Sequence, residues 1–397
     1  MNLDALDLAE GVRLEIVADE HGFAAVPAVR GDDGRWTPAR PGDGAAEALL
    51  HLLSRGSARY SRFTLRSWTS QTAQGERGVS VDQTNESVIV GDTAVVKWAS
   101  HLEIGPHPAP QRISVLRAAG FTGMPTPWGL ITWQTPDGDE TLVASVDEYL
   151  PGAVDGWTWA VDLVTAAARD GEVAPWVTAA VDLGTLVADL HAALSSTATV
   201  ATPDDTARWR ADALRTLETA CTSGDSAGIE LAITRREEIS NILAELGALT
   251  GTTVLDGHGD LHVGQILRSD GRFVVTDFDG NPVLPATQRV LPMPAALDVA
   301  GMVQSLSHAG IVARKYTELD PSALVDADAA ARTAFLDAYS ARLASLGQSG
   351  LFNPAPLRAF RTQQILREII YAARHLPRWM YVPDAALPAL LDERTAP

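Results

Sequence analysis

Asp256-Gly257-His258-Gly259-Asp260-Leu261-His262-Val263-Gly264-Gln265, with Asp277-Phe278-Asp279 following closely, is the stretch that decides how this chain is read. Ile266-Leu267-Arg268 and Phe273-Val274-Val275-Thr276 are apolar runs flanking the turn Ser269-Asp270-Gly271. That pattern predicts a β-hairpin, which carries the chain from Gln265 to Asp277 and places the two beside each other. Three polar groups (Asp260, Gln265 and Asp277) on a hairpin inside an apolar region are costly unless they are used or fully hydrogen-bonded. The stretch therefore reads as a functional island.

The island, Leu255 to Phe278, is surrounded by helical periodicity. Trp176–Leu194, Arg208–Cys221, Ile229–Leu246, Ala295–His308, Ala327–Leu346 and Pro356–His375 all read as helices. Upstream the period changes. Ser87-Val88-Ile89-Val90, Gly91-Asp92 and Thr93-Ala94-Val95-Val96-Lys97-Trp98 form a second hairpin pattern. Pro110–Ala119 reads as a helix, and Val143–Leu150 as a strand ended by Pro151-Gly152. The first 75 or so residues mix short alternating runs with Gly/Pro/Asp turns and one helix near Ala45–Leu53. A β-rich first half and a helical second half predict an α+β, two-lobed chain rather than a doubly wound sheet. The expected parts are a cap over 1–75, an intermediate subdomain over 76–150 and a helical lobe over 151–397.

Composition narrows the function. Hydrophobic residues make up 46% and charged residues 20% of the 397, a globular profile. The net charge of -19, with no basic run, repels polyphosphate, so nucleic acid is not an expected partner. One cysteine, Cys221, gives no intramolecular disulfide and suits a cytoplasmic setting. The most membrane-like window, Trp176–Leu194, carries Asp182, Asp189 and His191 and reads as an amphipathic helix, so no membrane is expected.

Phosphoryl transfer from a nucleotide needs an acid group that accepts the proton of the attacking hydroxyl, oxygen ligands for Mg²⁺, and a lysine on the phosphates. Asp260 is followed five positions later by the amide of Gln265, and Asp277 comes after a strand. Lys97 ends an apolar strand in a chain whose only other lysine is Lys315. A lysine there would ordinarily point to water; its rarity favours a functional reading. Gln83-Thr84-Asn85-Glu86-Ser87 can fold over phosphates, though without a glycine run.

With the island quoted, the chain resembles the aminoglycoside phosphotransferase superfamily, in its maltokinase-like branch. Asp82 to Val88 ending in Val96-Lys97, Asp155-Gly156-Trp157, Asp298-Val299-Ala300-Gly301-Met302 and Arg374-His375-Leu376-Pro377-Arg378-Trp379 have counterparts in the same order. The resemblance spans about residues 80–380 and implies a bilobal protein-kinase-like fold. It implies Asp260 as base, Gln265 and Asp277 on Mg²⁺, Lys97 on the phosphates of ATP, and Glu148 to Leu150 as the adenine hinge. Ser87 belongs to the expected ATP site. Asp279 is a second metal ligand, a substrate ligand or a turn cap.

The chain departs from maltokinases at informative places. The helix after the lysine strand carries Gln111 where a glutamate normally pairs with the lysine, leaving Glu103 or no partner. The cap lacks a Trp-rich stretch, and Ala372 stands where an acid is common. In these respects the chain is most similar to actinobacterial glucosamine kinases, which phosphorylate the 6-hydroxyl, and an acidic pocket suits a cationic amino sugar. The acceptor is expected to meet Asp260, His262, Glu368, Tyr371, Arg374 and Trp379; Glu368 and Tyr371 share a helix face. Asp298 is a functional group or an arginine's structural partner, and His258 is scaffolding. The enzyme is expected to be a monomer or weak homodimer. Competing readings are a maltokinase, an aminoglycoside phosphotransferase, a metal-dependent hydrolase built on His258-x-Asp260-x-His262 with Asp277 and Asp279, and a non-catalytic sugar sensor.

Overall fold

The fold is a computed structural model that describes residues 2–19, 22–79, 86–136 and 138–393. In chain order the elements are β1 (Asn2–Ala9), β2 (Val12–Asp19), β3 (Gly22–Arg30), β4 (Trp36–Pro38), α1 (Ala45–Ser54), β5 (Ala58–Tyr60), β6 (Phe63–Ser67), β7 (Glu76–Gly78), β8 (Glu86–Val90), β9 (Ala94–Trp98), α2 (Ala109–Ala118), β10 (Pro127–Gln134) and β11 (Glu140–Glu148). There follow α3 (Gly156–Asp170), α4 (Val173–Ala193), β12 (Thr199–Val200), α5 (Pro203–Ala220), α6 (Ala227–Thr234), α7 (Arg236–Ala244), β13 (Thr253–Val254), β14 (Ile266–Ser269), β15 (Arg272–Val275), α8 (Ala286–Arg289), α9 (Ala295–Tyr316), α10 (Pro321–Ser345), α11 (Leu357–His375) and α12 (Tyr381–Asp392). Two compact units result. The first comprises Met1–Arg117, Met124–Ala153 and Thr276–Leu291; the second comprises the remainder.

The first unit is β-rich. β1 to β4 form an antiparallel sheet in sequence order, and a seven-stranded sheet runs β5-β6-β10-β11-β9-β8-β7. One face of the larger sheet carries Val88, Val90, Val96, Trp98, Ile131, Trp133, Val143 and Val146, which pack with Leu49, Leu50 and Leu53 of α1 and Leu14 and Ile16 of β2. Alternation then dictates what the other face shows. In β9 Ala94, Val96 and Trp98 are buried, so Lys97 points the opposite way. Lys97 is in register with Ser87 on β8 and Ser145 on β11. The buried side of the sheet supplies stability, and its other side is left to polar chemistry.

The second unit is helical, with the hairpin β14–β15 set among its helices. Ile266 pairs with Val275, as the sequence pattern requires. The α4 helix is long and apolar enough to cross a membrane by length and composition. Its Trp176, Ala180, Leu183, Val187 and Leu190 are instead buried against neighbouring helices, chiefly α10.

Several boundaries differ from the sequence expectation. The α5 helix begins five residues before Arg208, because Thr202 and Asp205 form a reciprocal capping box and Pro203 occupies the first turn. The expected helix over Ile229–Leu246 is two helices divided at Arg235, whose backbone leaves the helical region. The α3 helix was not expected: it opens on Gly156-Trp157, with Asp155 accepting from Thr158 N–H at 3.1 Å. Nor was α12, which contains Pro388.

Candidate active site

In the second unit the island is a loop gripped from several sides. Asp298, in the first turn of α9, is buried and accepts from the N–H groups of His258 at 2.7 Å and Gly259 at 2.8 Å. His191 Nε2 donates to the same carboxylate at 3.2 Å, which leaves Nδ1 to accept from the Tyr339 hydroxyl at 2.8 Å. Burial alone would raise the Asp298 pKa. The bond from His191, the neighbouring His258 and the Gly259 N–H outweigh it and hold the pKa below the usual carboxylate value. The alternative of an arginine partner for Asp298 is thereby corrected: its partners are His191 and the loop backbone.

Further along, Val263 N–H donates to Ser305 Oγ at 2.9 Å. Two glycines let helices press on the loop: a Cβ at Gly156 would collide with the Val263 carbonyl, and one at Gly301 with the Leu261 carbonyl. Gly259 has a φ of +87°, which favours glycine at the bend before Asp260. His258 Nδ1 accepts from Asp260 N–H at 3.3 Å, and His262 Nδ1 accepts from Gly264 N–H at 3.0 Å. Both rings thus serve the loop's own backbone. Among the described residues no group of three His, Cys, Asp or Glu is arranged for a metal.

The acceptor candidates separate. His262 stacks on Trp157, with centroids 6.3 Å apart, and Trp157 meets Trp379 edge-on at 5.4 Å. Glu368 is largely buried; its Oε1 accepts from Gln364 at 3.0 Å, and its Oε2 is buried without a hydrogen-bond partner among the described residues. Burial first, and the nearby Asp260 charge second, push its pKa up to about 8. Arg367, its neighbour on α11, also feels the Asp260 charge, while burial lowers its own pKa. Tyr371 is 47% exposed and packs on His375, and Arg374 is exposed. Among the described residues neither bonds to Glu368 nor packs on His262 or Trp379.

The first unit holds Lys97, half-buried on the polar face of the sheet. Burial would depress its pKa, but the carboxylates of Asp147, Asp277 and Asp279 raise it overall. Asp277 has a φ of +66°, an uncommon conformation for a residue with a side chain. The turn it occupies is held by Arg112 of α2, fully buried, which donates to the carbonyls of Phe278 at 3.1 Å and Arg289 at 2.9 Å. Glu103 is not the lysine's partner: it is paired with Arg289 and accepts from Ala286 N–H at 2.9 Å. His107, buried near Arg289 and Arg112, has its pKa lowered to about 4, by burial before charge. Ser87 is buried on β8. The Glu148 side chain is committed to Thr126, accepting from its N–H at 3.0 Å and its hydroxyl at 2.8 Å, and Leu150 is buried. Residues 83–85 of the expected phosphate-covering stretch lie outside the described residues.

A glucosamine kinase from Mycolicibacterium smegmatis is 63% identical over 399 residues, covering 100% of both chains. The chain belongs to the glucosamine kinase family. A second glucosamine kinase, from Streptacidiphilus jiangxiensis, is 47% identical over 99% of this chain and 92% of its own. A solved glucosamine kinase in complex with glucosamine, ADP and inorganic phosphate superposes with a TM-score of 0.88 at 45% identity, covering 98% of this chain and 93% of that one. Another crystal form of a glucosamine kinase gives 0.90 at 45% identity, covering 99% and 94%. No family model matches the chain. The α+β fold and the likeness to glucosamine kinases read from the sequence are both borne out. Sequence reading of this glucosamine kinase family member missed the Asp298–His191–Tyr339 chain, the two glycines and Asp147. The signal available for Asp147 was its two-residue spacing from Ser145, alternating with the apolar Ala144 and Val146.

Proposed function

We propose that this chain transfers the terminal phosphoryl group of ATP to the 6-hydroxyl of glucosamine, giving glucosamine 6-phosphate and ADP. The observation that carries this reading is the full-length 63% identity with a glucosamine kinase. Asp260 accepts the hydroxyl proton as the sugar oxygen bonds to the γ-phosphorus and the bond to the ADP oxygen breaks. A loop held by Asp298, Ser305 and two close-packed glycines keeps that carboxylate in place before the sugar arrives. Lys97 holds the phosphates. The adenine is assigned to the Glu148 to Leu150 stretch, where the Glu148 side chain is committed to Thr126 and the Glu148 and Tyr149 N–H groups donate to the Thr126 and Thr93 carbonyls.

Asp277 and Asp279 are hard oxygen donors in one tight turn, and Gln265 adds an amide oxygen; this donor set suits Mg²⁺. When bound, the ion neutralises phosphate charge. The turn itself is set by Arg112, not by the ion.

Glu368 is the group we assign to the sugar's amine. Its buried Oε2 has no hydrogen-bond donor among the described residues; the sugar's ammonium would supply one and draw the acid, neutral in the empty site, into its charged form. His262, Trp157 and Trp379 present aromatic faces suited to a sugar ring. Tyr371 and Arg374 are assigned to the outer part of the acceptor site. The single cysteine suits a reducing cytosol.

The test is ADP release from Mg²⁺-ATP with glucosamine, glucose, maltose, N-acetylglucosamine and kanamycin. Glucosamine is expected to give the highest kcat/KM; activity with maltose or kanamycin alone would overturn the substrate assignment.

A further inference from the structure

Gln111 leaves Lys97 without the helical glutamate that would normally steady it, and Glu103 is taken by Arg289. The sheet register offers a different carboxylate. Lys97 on β9 lies opposite Ser145 on β11, and Asp147 lies opposite Val95. Residues two apart on a strand point the same way, so Asp147 stands diagonal to Lys97 on the same face, within reach of a side chain as long as lysine. The alternation confirms the direction: Ala144 and Val146 are buried in the core, while Ser145 and Asp147 are half-buried.

We propose that Asp147 is the positioning residue for Lys97, a strand-borne carboxylate that fixes the ammonium from the neighbouring strand in place of a helical glutamate. The proposal rests on the reading of Lys97 as the phosphate-holding group. Two other carboxylates, Asp277 and Asp279, also bear on Lys97, but both belong to the turn assigned to the cation. Charge committed to a metal is not available to steady a lysine. Asp147 carries no such duty, and among the described residues its side chain is committed to no hydrogen bond or ion pair. Its influence on Lys97 ranks above that of Asp277 and Asp279, and Lys97 in turn opposes the rise that burial imposes on the Asp147 pKa.

The arrangement has a mechanical consequence. A glutamate on a helix releases the lysine whenever the helix swings away. A partner two residues along the adjoining strand is fixed by ladder hydrogen bonds, so the lysine stays set whatever α2 does. The α2 helix grips the Asp277–Asp279 turn instead, through Arg112.

Two lysines make the test direct. Amine acetylation of the full chain, followed by peptide mass spectrometry across pH, reads the titration midpoint of Lys97 against the exposed Lys315. In the wild type Lys97 is expected to titrate above the ordinary lysine value. In Asp147→Asn the Lys97 midpoint is expected to fall, with about tenfold faster labelling at fixed pH for each unit lost. The KM for ATP rises in that variant, and Asp147→Glu restores part of both. An unchanged Lys97 midpoint in a folded Asp147→Asn protein overturns the pairing. If that variant does not fold, a wild-type Lys97 that titrates at or below the ordinary lysine value overturns it equally. Lys97→Ala separates the two readings: full turnover in that variant, beside a shifted Lys97 midpoint in Asp147→Asn, removes the phosphate role and leaves the pairing standing.

Discussion

His308 Nε2 and Glu368 Oε2 lie 3.5 Å apart inside the second unit, yet both groups are neutral near pH 7. Burial lowers the His308 pKa to about 3, helped by the charge of Arg361, and burial raises that of Glu368 to about 8. The contact is therefore a meeting of a neutral imidazole and a carboxylic acid. The imidazole is held by Gln304 at 3.0 Å, and Gln304 accepts from Arg361 at 3.0 Å.

The pH dependence of stability follows from the Glu368 shift. Its folded pKa lies above the ordinary glutamate value of 4.5, so the folded chain binds the extra proton between about 4.5 and 8. The stabilisation is complete below that window and is lost as pH rises through it. At about 1.4 kcal/mol per unit the difference reaches at most about 5 kcal/mol. Urea unfolding of the wild type and Glu368→Gln should show the wild type losing ground from pH 5 to about pH 8 and levelling off above it. Parallel profiles would contradict the shift.

The same substitution should act on substrate choice. On the proposed assignment, replacing the carboxyl by an amide removes the charge-assisted contact that forms when the sugar's ammonium ionises Glu368, worth about 1.5–3 kcal/mol. Glu368→Gln is expected to lower kcat/KM for glucosamine by about 10- to 100-fold and to leave that for glucose little changed. Steady-state kinetics with the two sugars checks this; equal losses would point to a general structural effect.

What the sequence shows most plainly is local. The hairpin Ile266–Val275, the Lys97 strand and the helices α4, α9 and α11 follow from periodicity and turn residues within short windows. The loop around Asp260 is legible because its chemistry is compressed into ten residues. What holds that loop is not legible, because Gly156, His191, Asp298, Gly301, Ser305 and Tyr339 come from four helices spread over nearly 190 residues. Asp147 was hidden differently: only the pairing of β9 with β11 reveals which strand faces Lys97. The α3 and α12 helices escaped because glycine at the start of one and proline within the other weaken the helical pattern.

Close packing at Gly301 offers a test of the loop's support. A methyl group there enters the Leu261 carbonyl, so the loop must move. Gly301→Ala is expected to destabilise the fold by about 1–3 kcal/mol, as overpacking does. It should also lower kcat more than it raises the KM for ATP. Thermal unfolding and steady-state kinetics measure the two effects.

Arg112 is the buried support of the Asp277–Asp279 turn. Arg112→Met leaves the carbonyls of Phe278 and Arg289 without their donor, at a cost of about 1–3 kcal/mol for each. The Mg²⁺ concentration needed for half-maximal activity should rise, because the carboxylates lose their fixed turn. A Mg²⁺ titration of turnover with an unchanged midpoint would contradict that role.

The most direct test of the kinase assignment is glucosamine-dependent ADP release by Asp260→Asn beside the wild type, with ADP binding measured on both. Turnover is expected to fall by about 10²–10⁴-fold with ADP affinity nearly unchanged. Near-wild-type turnover in Asp260→Asn would contradict the assignment of Asp260 as the base.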